Sequence, residues 1–231
     1  WLVQDGPFDK DDFAQKDQLW TLAVHNMNLY SEGARQLENA VDFIPKWLFD
    51  DVMCTYSTQG SSVGAHIDNY NVFILQGAGS RSWSLEYQPN KDFHSGLEVK
   101  ILKEFNSDVT YTLETGDMLY IPPQVGHNGI GESDDCMTYS VGFRAPSHAE
   151  IMRNFTDFIG ETLTSESRYT DPDLSLQDNP GEIRPEALDK IRTIFTDYLQ
   201  DDARLGEYLG NFVTDPKNPE LDQSSEQPAT I

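Results

Sequence analysis

Between Val52 and Phe143 apolar and polar residues alternate in short runs. Val52–Ser57, Val72–Leu75, Arg81–Leu85, Val109–Leu113, Met118–Ile121 and Met137–Phe143 each show the period-2 pattern of a strand with one buried face. Turn signals separate them at Gly60-Ser61-Ser62, Gly77-Ala78-Gly79, Thr115-Gly116-Asp117 and Gly129-Ile130-Gly131. Many short strands joined by glycine-rich turns predict an all-β sandwich or barrel.

The flanks read differently. Residues 1–18 are acidic and loop-like, with Trp1, Phe8 and Phe13 as aromatic anchors. Leu19–Leu29 alternates through Trp20, Leu22 and Val24 and predicts a further strand. Ser31–Ile44 predicts a helix with Ala34, Leu37, Val41 and Ile44 on one face, stopped by Pro45. After Ala145 the spacing becomes helical. Ser147 and Glu150 form a candidate capping box, followed by Ile151, Phe155, Phe158, Ile159 and Leu163. A Pro- and Asp-rich linker covers Thr170–Arg184, and Pro185 suits the first turn of a second helix carrying Leu188, Ile191, Phe195 and Leu199. Leu205, Tyr208, Leu209 and Phe212 mark a third, and residues 215–231 are expected to be a polar, disordered tail. The three apolar faces either pack on each other and on the barrel, or meet a second copy in a homodimer.

A chain of 231 residues suits one large domain, or one domain with a small appendage. Sixteen basic against 39 acidic residues leave a net charge of −23, which argues against a phosphate-binding surface, so no direct nucleic-acid binding is expected. The same charge suits solubility or a basic protein partner. Two cysteines, Cys54 and Cys136, are too few for a disulfide scaffold or a four-thiolate zinc site. No apolar run approaches the roughly 18 residues of a membrane helix, and a cytoplasmic location is the expectation.

Two of the five histidines have informative neighbours. His66-Ile67-Asp68 places an imidazole and a carboxylate two residues apart, on the same side of an extended segment. Such a tripeptide is a weak signal alone. It gains weight from Gly116–His127, where a Gly-Asp turn, a strand and a Pro-Pro exit aim His127 back into the barrel. Two histidines and one carboxylate leave open positions on a metal, as in non-haem Fe(II) oxygenases. His25, His94 and His148 read as structural: the first alternates with core positions, the second lies in a polar loop and the third starts a helix. Arg81 either faces solvent or turns inward, where its fork matches a carboxylate. Thr55 and Ser57 share one face of the preceding strand and either hydrogen-bond a co-substrate or face solvent.

The stretch His66-Ile67-Asp68-Asn69-Tyr70-Asn71-Val72-Phe73-Ile74-Leu75-Gln76-Gly77 resembles the JmjC-type ribosomal oxygenases of the cupin superfamily, and most nearly the bacterial ribosomal protein arginine hydroxylases. Gly116–His127 and Tyr139–Pro146 carry the same likeness, which extends from Asp5-Gly6-Pro7-Phe8 to the C-terminal helices. The resemblance implies a mainly β fold: a double-stranded β-helix of the jelly-roll or cupin type over residues 1–146, with a flanking N-terminal helix. It implies a helical dimerisation bundle over 147–214, then the tail at 215–231. Family members carry a further winged-helix domain, to which no stretch of these residues corresponds. The implied metal is Fe(II) on His66, Asp68 and His127. The implied co-substrate is 2-oxoglutarate, its distal carboxylate held by Arg81 with a hydroxyl assigned to Thr55. Where the family often has Asn, this sequence has Thr138. The implied reaction hydroxylates the β-carbon of an arginine on a basic large-subunit ribosomal protein, with release of succinate and CO2. Two other classes compete: a cupin enzyme acting on a small molecule, and a non-catalytic cupin binding module.

Overall fold

A computed structural model describes residues 4, 6–9, 11–13, 19–97 and 99–214. The expectations for Trp1 and for the tail at 215–231 lie outside them. The chain divides into two compact units, Trp1–Ala145 and Pro146–Ile231.

The first unit is built from two antiparallel sheets. The larger runs β1 (Thr21–Val24), β2 (Phe49–Ser57), β9 (Cys136–Phe143), β4 (Val72–Ala78), β7 (Met118–Ile121) in spatial order. The smaller runs β3 (His66–Ile67), β8 (Gly126–Gly131), β5 (Ser80–Glu86), β6 (Val109–Glu114). From β2 to β5 and again from β6 to β9, consecutive strands alternate between the sheets in the manner of a double-stranded β-helix. The core between the sheets takes Val72, Ile74 and Ile121 from the larger, Trp83, Leu85 and Leu113 from the smaller, and Val125 from the loop before β8. Each fully buried side chain of this kind contributes roughly 1.5–3 kcal/mol. The other face of the larger sheet is also apolar at Val52, Val141 and Phe143. There it is covered by Ala34, Leu37 and Val41, from α2 (Glu32–Ala40) and the residue that ends it.

Three local expectations need correction. Leu19–Leu29 is not one strand: β1 stops at Val24, Asn26 takes a left-handed conformation (φ 58°), and α1 (Met27–Tyr30) follows. The cause is the Asp51 carboxylate, which accepts hydrogen bonds from the Asn26 backbone N–H and the His25 ring and pulls the chain into a turn. The helix predicted over Ser31–Ile44 ends at Ala40, short of Pro45, and Ser31 caps its start. The Gly129-Ile130-Gly131 turn signal lies inside β8. Its glycines are there for space: a Cβ on Gly129 would come within 2.8 Å of the Trp83 ring.

The connection after β5 forms a strap over the free edge of β3. Ile101 and Leu102 are buried, Ile101 bridges His66, and Leu102 N–H donates to the Ala65 carbonyl at 2.8 Å. The edge that carries His66 is therefore not left open to pairing with another chain.

The second unit holds α3 (His148–Thr162), α4 (Pro185–Leu199) and α5 (Asp202–Thr214). The Ser147–Glu150 capping box forms, and Pro185 is the first residue of α4. Phe155, Ile159 and Tyr208 make the core, backed by Ile151, Phe158, Tyr198 and Phe212, and the Tyr208 hydroxyl donates to the Ile151 carbonyl. The linker is tied to α4 by Lys190, which pairs with Asp171 and Asp173. On α4, Leu188, Ile191, Phe195 and Leu199 remain exposed.

Candidate metal and co-substrate site

β3 and β8 pair so that His66 stands opposite His127 and Ile67 opposite Gly126. Asp68 follows directly, and the ligand atoms of His66, Asp68 and His127 all lie within 4.8 Å of one another. Among the described residues these three are the group able to hold a metal ion. His66 Nδ1 lies 2.8 Å from the Gly64 carbonyl and His127 Nδ1 3.1 Å from that of Val125. A carbonyl only accepts, so both Nδ1 atoms carry hydrogen and both Nε2 lone pairs are free for a metal. Burial, reinforced by the neighbouring His66, pushes the His127 pKa down to about 4. His127 is therefore neutral near pH 7, as a metal ligand must be.

Asp68 is held through its backbone. Its carbonyl accepts from Gln124 N–H at 2.8 Å, and Gln124 takes a left-handed backbone (φ 70°) to make that contact. Close to its carboxylate stands Tyr70, whose pKa is pushed up to about 12 by burial and by the charges of Asp68 and Asp51. Tyr70 thus stays a neutral donor at any ordinary pH. Sequence reasoning passed over Tyr70. The signal was present, since His66, Asp68 and Tyr70 continue one alternation.

Arg81 points inward. It is 1% exposed, and its Nη2 donates to Ser57 Oγ at 2.5 Å. Its Nε–H has no partner, and it belongs to none of the ion pairs among the described residues. A buried guanidinium without a counter-charge is costly, and a carboxylate ligand would relieve that cost. Ser57 is itself placed by Thr21, hydroxyl to hydroxyl, at 3.0 Å. Thr55 shares the inner face of β2, but its hydroxyl donates to the Thr138 carbonyl at 3.4 Å, and Ser57 is the residue in contact with Arg81. The Thr138 hydroxyl is engaged as well, donating to Gln76 Oε1 at 2.9 Å. Both Gln76 and Thr138 are fully enclosed.

The three remaining histidines lie outside this group. His25 pairs with Asp51, at 3.1 Å; burial works against the Asp51 carboxylate, yet the His25 and Asn26 contacts hold its pKa below the usual value. His94 donates its backbone N–H to Ile101 within the strap, and His148 opens α3.

The family model of the JmjC domain matches residues 36–151. The Escherichia coli ribosomal protein uL16 3-hydroxylase is 32% identical over 99% of this chain and 61% of its own length. A probable ribosomal oxygenase of Haemophilus influenzae is 35% identical over 77% of this chain and 43% of its own. Among solved structures, E. coli YcfD superposes with a TM-score of 0.87 at 31% identity, covering 94% of this chain and 58% of that one. YcfD in complex with cobalt and 2-oxoglutarate superposes with a TM-score of 0.82, again at 31% identity, covering 94% of this chain and 57% of that one. The chain spans about three fifths of the length of the E. coli relatives and about two fifths of that of the H. influenzae one. The fold is thus mainly β and of the JmjC or cupin type, and the chain belongs to the JmjC domain family, where it is similar to the ribosomal oxygenases.

Proposed function

We propose that this chain is an Fe(II)- and 2-oxoglutarate-dependent oxygenase that hydroxylates a side chain of a large-subunit ribosomal protein. The observation that carries the reading is the pairing of two features inside one barrel. A two-histidine, one-carboxylate group stands on β3 and β8, and a buried guanidinium lacking a counter-charge stands on β5. In this reading His66, Asp68 and His127 hold the metal by two neutral nitrogens and one carboxylate, leaving positions open for co-substrate and oxygen. Arg81 and Ser57 receive the distal carboxylate of 2-oxoglutarate, and Thr55 lines the same wall. With O2, the bound Fe(II) and 2-oxoglutarate supply the oxidant for C–H hydroxylation and yield succinate and CO2. The residues' task is orientation. The Nδ1 hydrogen bonds fix both imidazoles, Gln124 fixes the Asp68 backbone, and the enclosed wall of Gln76 and Thr138 keeps bulk water from that side.

The substrate proposal is finer: the β-carbon of an arginine in a basic ribosomal protein. The name of the E. coli relative supports uL16 as the first candidate, and the 3-position of an amino acid is its β-carbon. A net charge of −23 would draw a basic protein at long range. We also assign residues 1–146 to catalysis, 147–214 to homodimerisation and 215–231 to a polar tail, and place the protein in the cytoplasm. No helix among the described residues is long and apolar enough to cross a membrane.

Incubating the chain with Fe(II), 2-oxoglutarate and purified uL16 tests the reading. The expected result is a mass gain of one oxygen atom on an arginine, with stoichiometric succinate. Turnover without 2-oxoglutarate would point instead to a small-molecule cupin. Failure to bind Fe(II) would point to a silent binding module.

A further inference from the structure

We infer that the indole N–H of Trp83 is a further positioning donor for the co-substrate, set between Arg81 and the His66–Asp68–His127 group; the inference rests on the 2-oxoglutarate reading above. On β5, Arg81, Trp83 and Leu85 stand opposite Gly131, Gly129 and His127 of β8. Trp83 is thus one alternation from the guanidinium and one from the strand position facing His127. The Arg81 guanidinium carbon lies 5.8 Å from the centre of the Trp83 ring, and the His127 ring centre lies 6.0 Å from it. An extended dicarboxylate running from Arg81 toward the metal ligands must pass this indole.

Trp83 is only 7% exposed, and its Nε1–H has no hydrogen-bond partner. Buried indole N–H groups normally find an acceptor. The Nε–H of Arg81, two residues earlier on the same face, is unpaired as well. Two orphaned donors on one inward face call for one acceptor-rich ligand, and a dicarboxylate with a keto oxygen offers acceptors at both ends and between. Trp20 also has an unpaired Nε1–H, but its ring stacks on Tyr56, which lies on the opposite face of β2 from Ser57 and Thr55. The position of the Trp83 ring is not negotiable. Three of its carbons occupy the space a Cβ on Gly129 would need, at 2.8–2.9 Å, so the side chain is locked against β8.

Trp83→Phe keeps an aromatic ring over Gly129 and removes the donor. The full chain, loaded with Zn(II) to prevent turnover, is titrated with 2-oxoglutarate by calorimetry. The indole 1H–15N resonance of Trp83 is followed in the unmodified chain. The expected result is a roughly ten- to hundredfold weaker 2-oxoglutarate affinity in Trp83→Phe, with Zn(II) affinity unchanged. The Trp83 indole proton should move downfield on 2-oxoglutarate addition. A role in packing alone would leave the affinity and the resonance where they were, and that outcome overturns the inference. Arg81→Ala separates the two levels of the argument. If it loses 2-oxoglutarate while Trp83→Phe does not, the donor role fails and the co-substrate reading stands. If the unmodified chain binds no 2-oxoglutarate, both fall. Should Trp83→Phe fail to fold, the resonance of the unmodified chain decides: a stationary signal overturns the inference.

Discussion

His66 and His127 are register partners across β3 and β8, and each directs its Nδ1 hydrogen at the carbonyl two residues earlier in the chain, just before its own strand. Their ring centres lie 4.2 Å apart, tilted by 60°. Two imidazoles fixed in one tautomer, on paired strands, present two nitrogens to one point before any metal arrives. That is preorganisation at the level of backbone pairing.

The two histidines should nonetheless differ in what their loss costs. His127 is 2% exposed and contacts Trp83, whereas His66 is only partly buried. His127→Ala should destabilise the metal-free fold by about 2–3 kcal/mol through the cavity it leaves. His66→Ala should cost less than about 1 kcal/mol. Both should abolish stoichiometric metal binding and turnover. Denaturant titration with metal analysis of each variant checks this; an Fe(II)-replete, active His66→Ala variant would remove the triad from consideration.

Arg81 should show a trade between stability and function. Its charge is enclosed without a counter-charge, so Arg81→Met should raise metal-free stability by about 1 kcal/mol. The same change should remove 2-oxoglutarate binding, because the ligand's distal carboxylate loses its charged fork. Paired thermal melts, with and without 2-oxoglutarate, read both effects. A variant that is less stable and still binds 2-oxoglutarate contradicts the assignment.

The His25–Asp51 pair should give a pH dependence whose sign follows from its two shifts. The hydrogen bond to Asp51 raises the His25 pKa above its ordinary 6.5, so the proton is held more tightly in the folded state. That contribution is fully present below pH 6.5 and is lost as the pH rises through the folded value. Asp51, lowered, adds stability above its unfolded pKa of 3.8 that is lost on acidification below it. His25→Ala should therefore destabilise more at pH 5.5 than at pH 9. The effect is small, since the ring is largely exposed. Equal destabilisation at both pH values in urea titrations would show that the ring acts by packing alone.

The helical unit bears on oligomeric state. Phe155 is 7% exposed in the core of its own unit, so a charge there would unfold α3 and could not report on dimerisation. The exposed row Leu188, Ile191, Phe195 and Leu199 on α4 is the better candidate for a two-fold interface. Phe195→Glu should convert a dimer into a folded monomer, seen by light scattering at micromolar concentration. A monomeric unmodified chain would end the proposal.

Much of the candidate chemistry is legible in the sequence. Period-2 alternation marked the long strands, and His66-Ile67-Asp68 with Gly116–His127 marked the triad, because the ligands recur at the fixed offsets their strands impose. β3 and β8 were not legible. β3 is two residues long, below any periodic signal, and β8 carries Gly126, Gly129 and Gly131, which local chemistry assigns to turns. Only the packed barrel shows that Gly129 is where Trp83 lies.

Local order thus determined which residues share a face, though not which face turns inward: alternation put Arg81 and Trp83 on one face, and Thr55 and Ser57 on another. It did not determine which inward residues meet. Ser57, and not Thr55, contacts Arg81 because of the register and relative placement of strands in two different sheets. That placement is settled by the volumes of the core side chains between them, a property of the whole barrel rather than of any one segment.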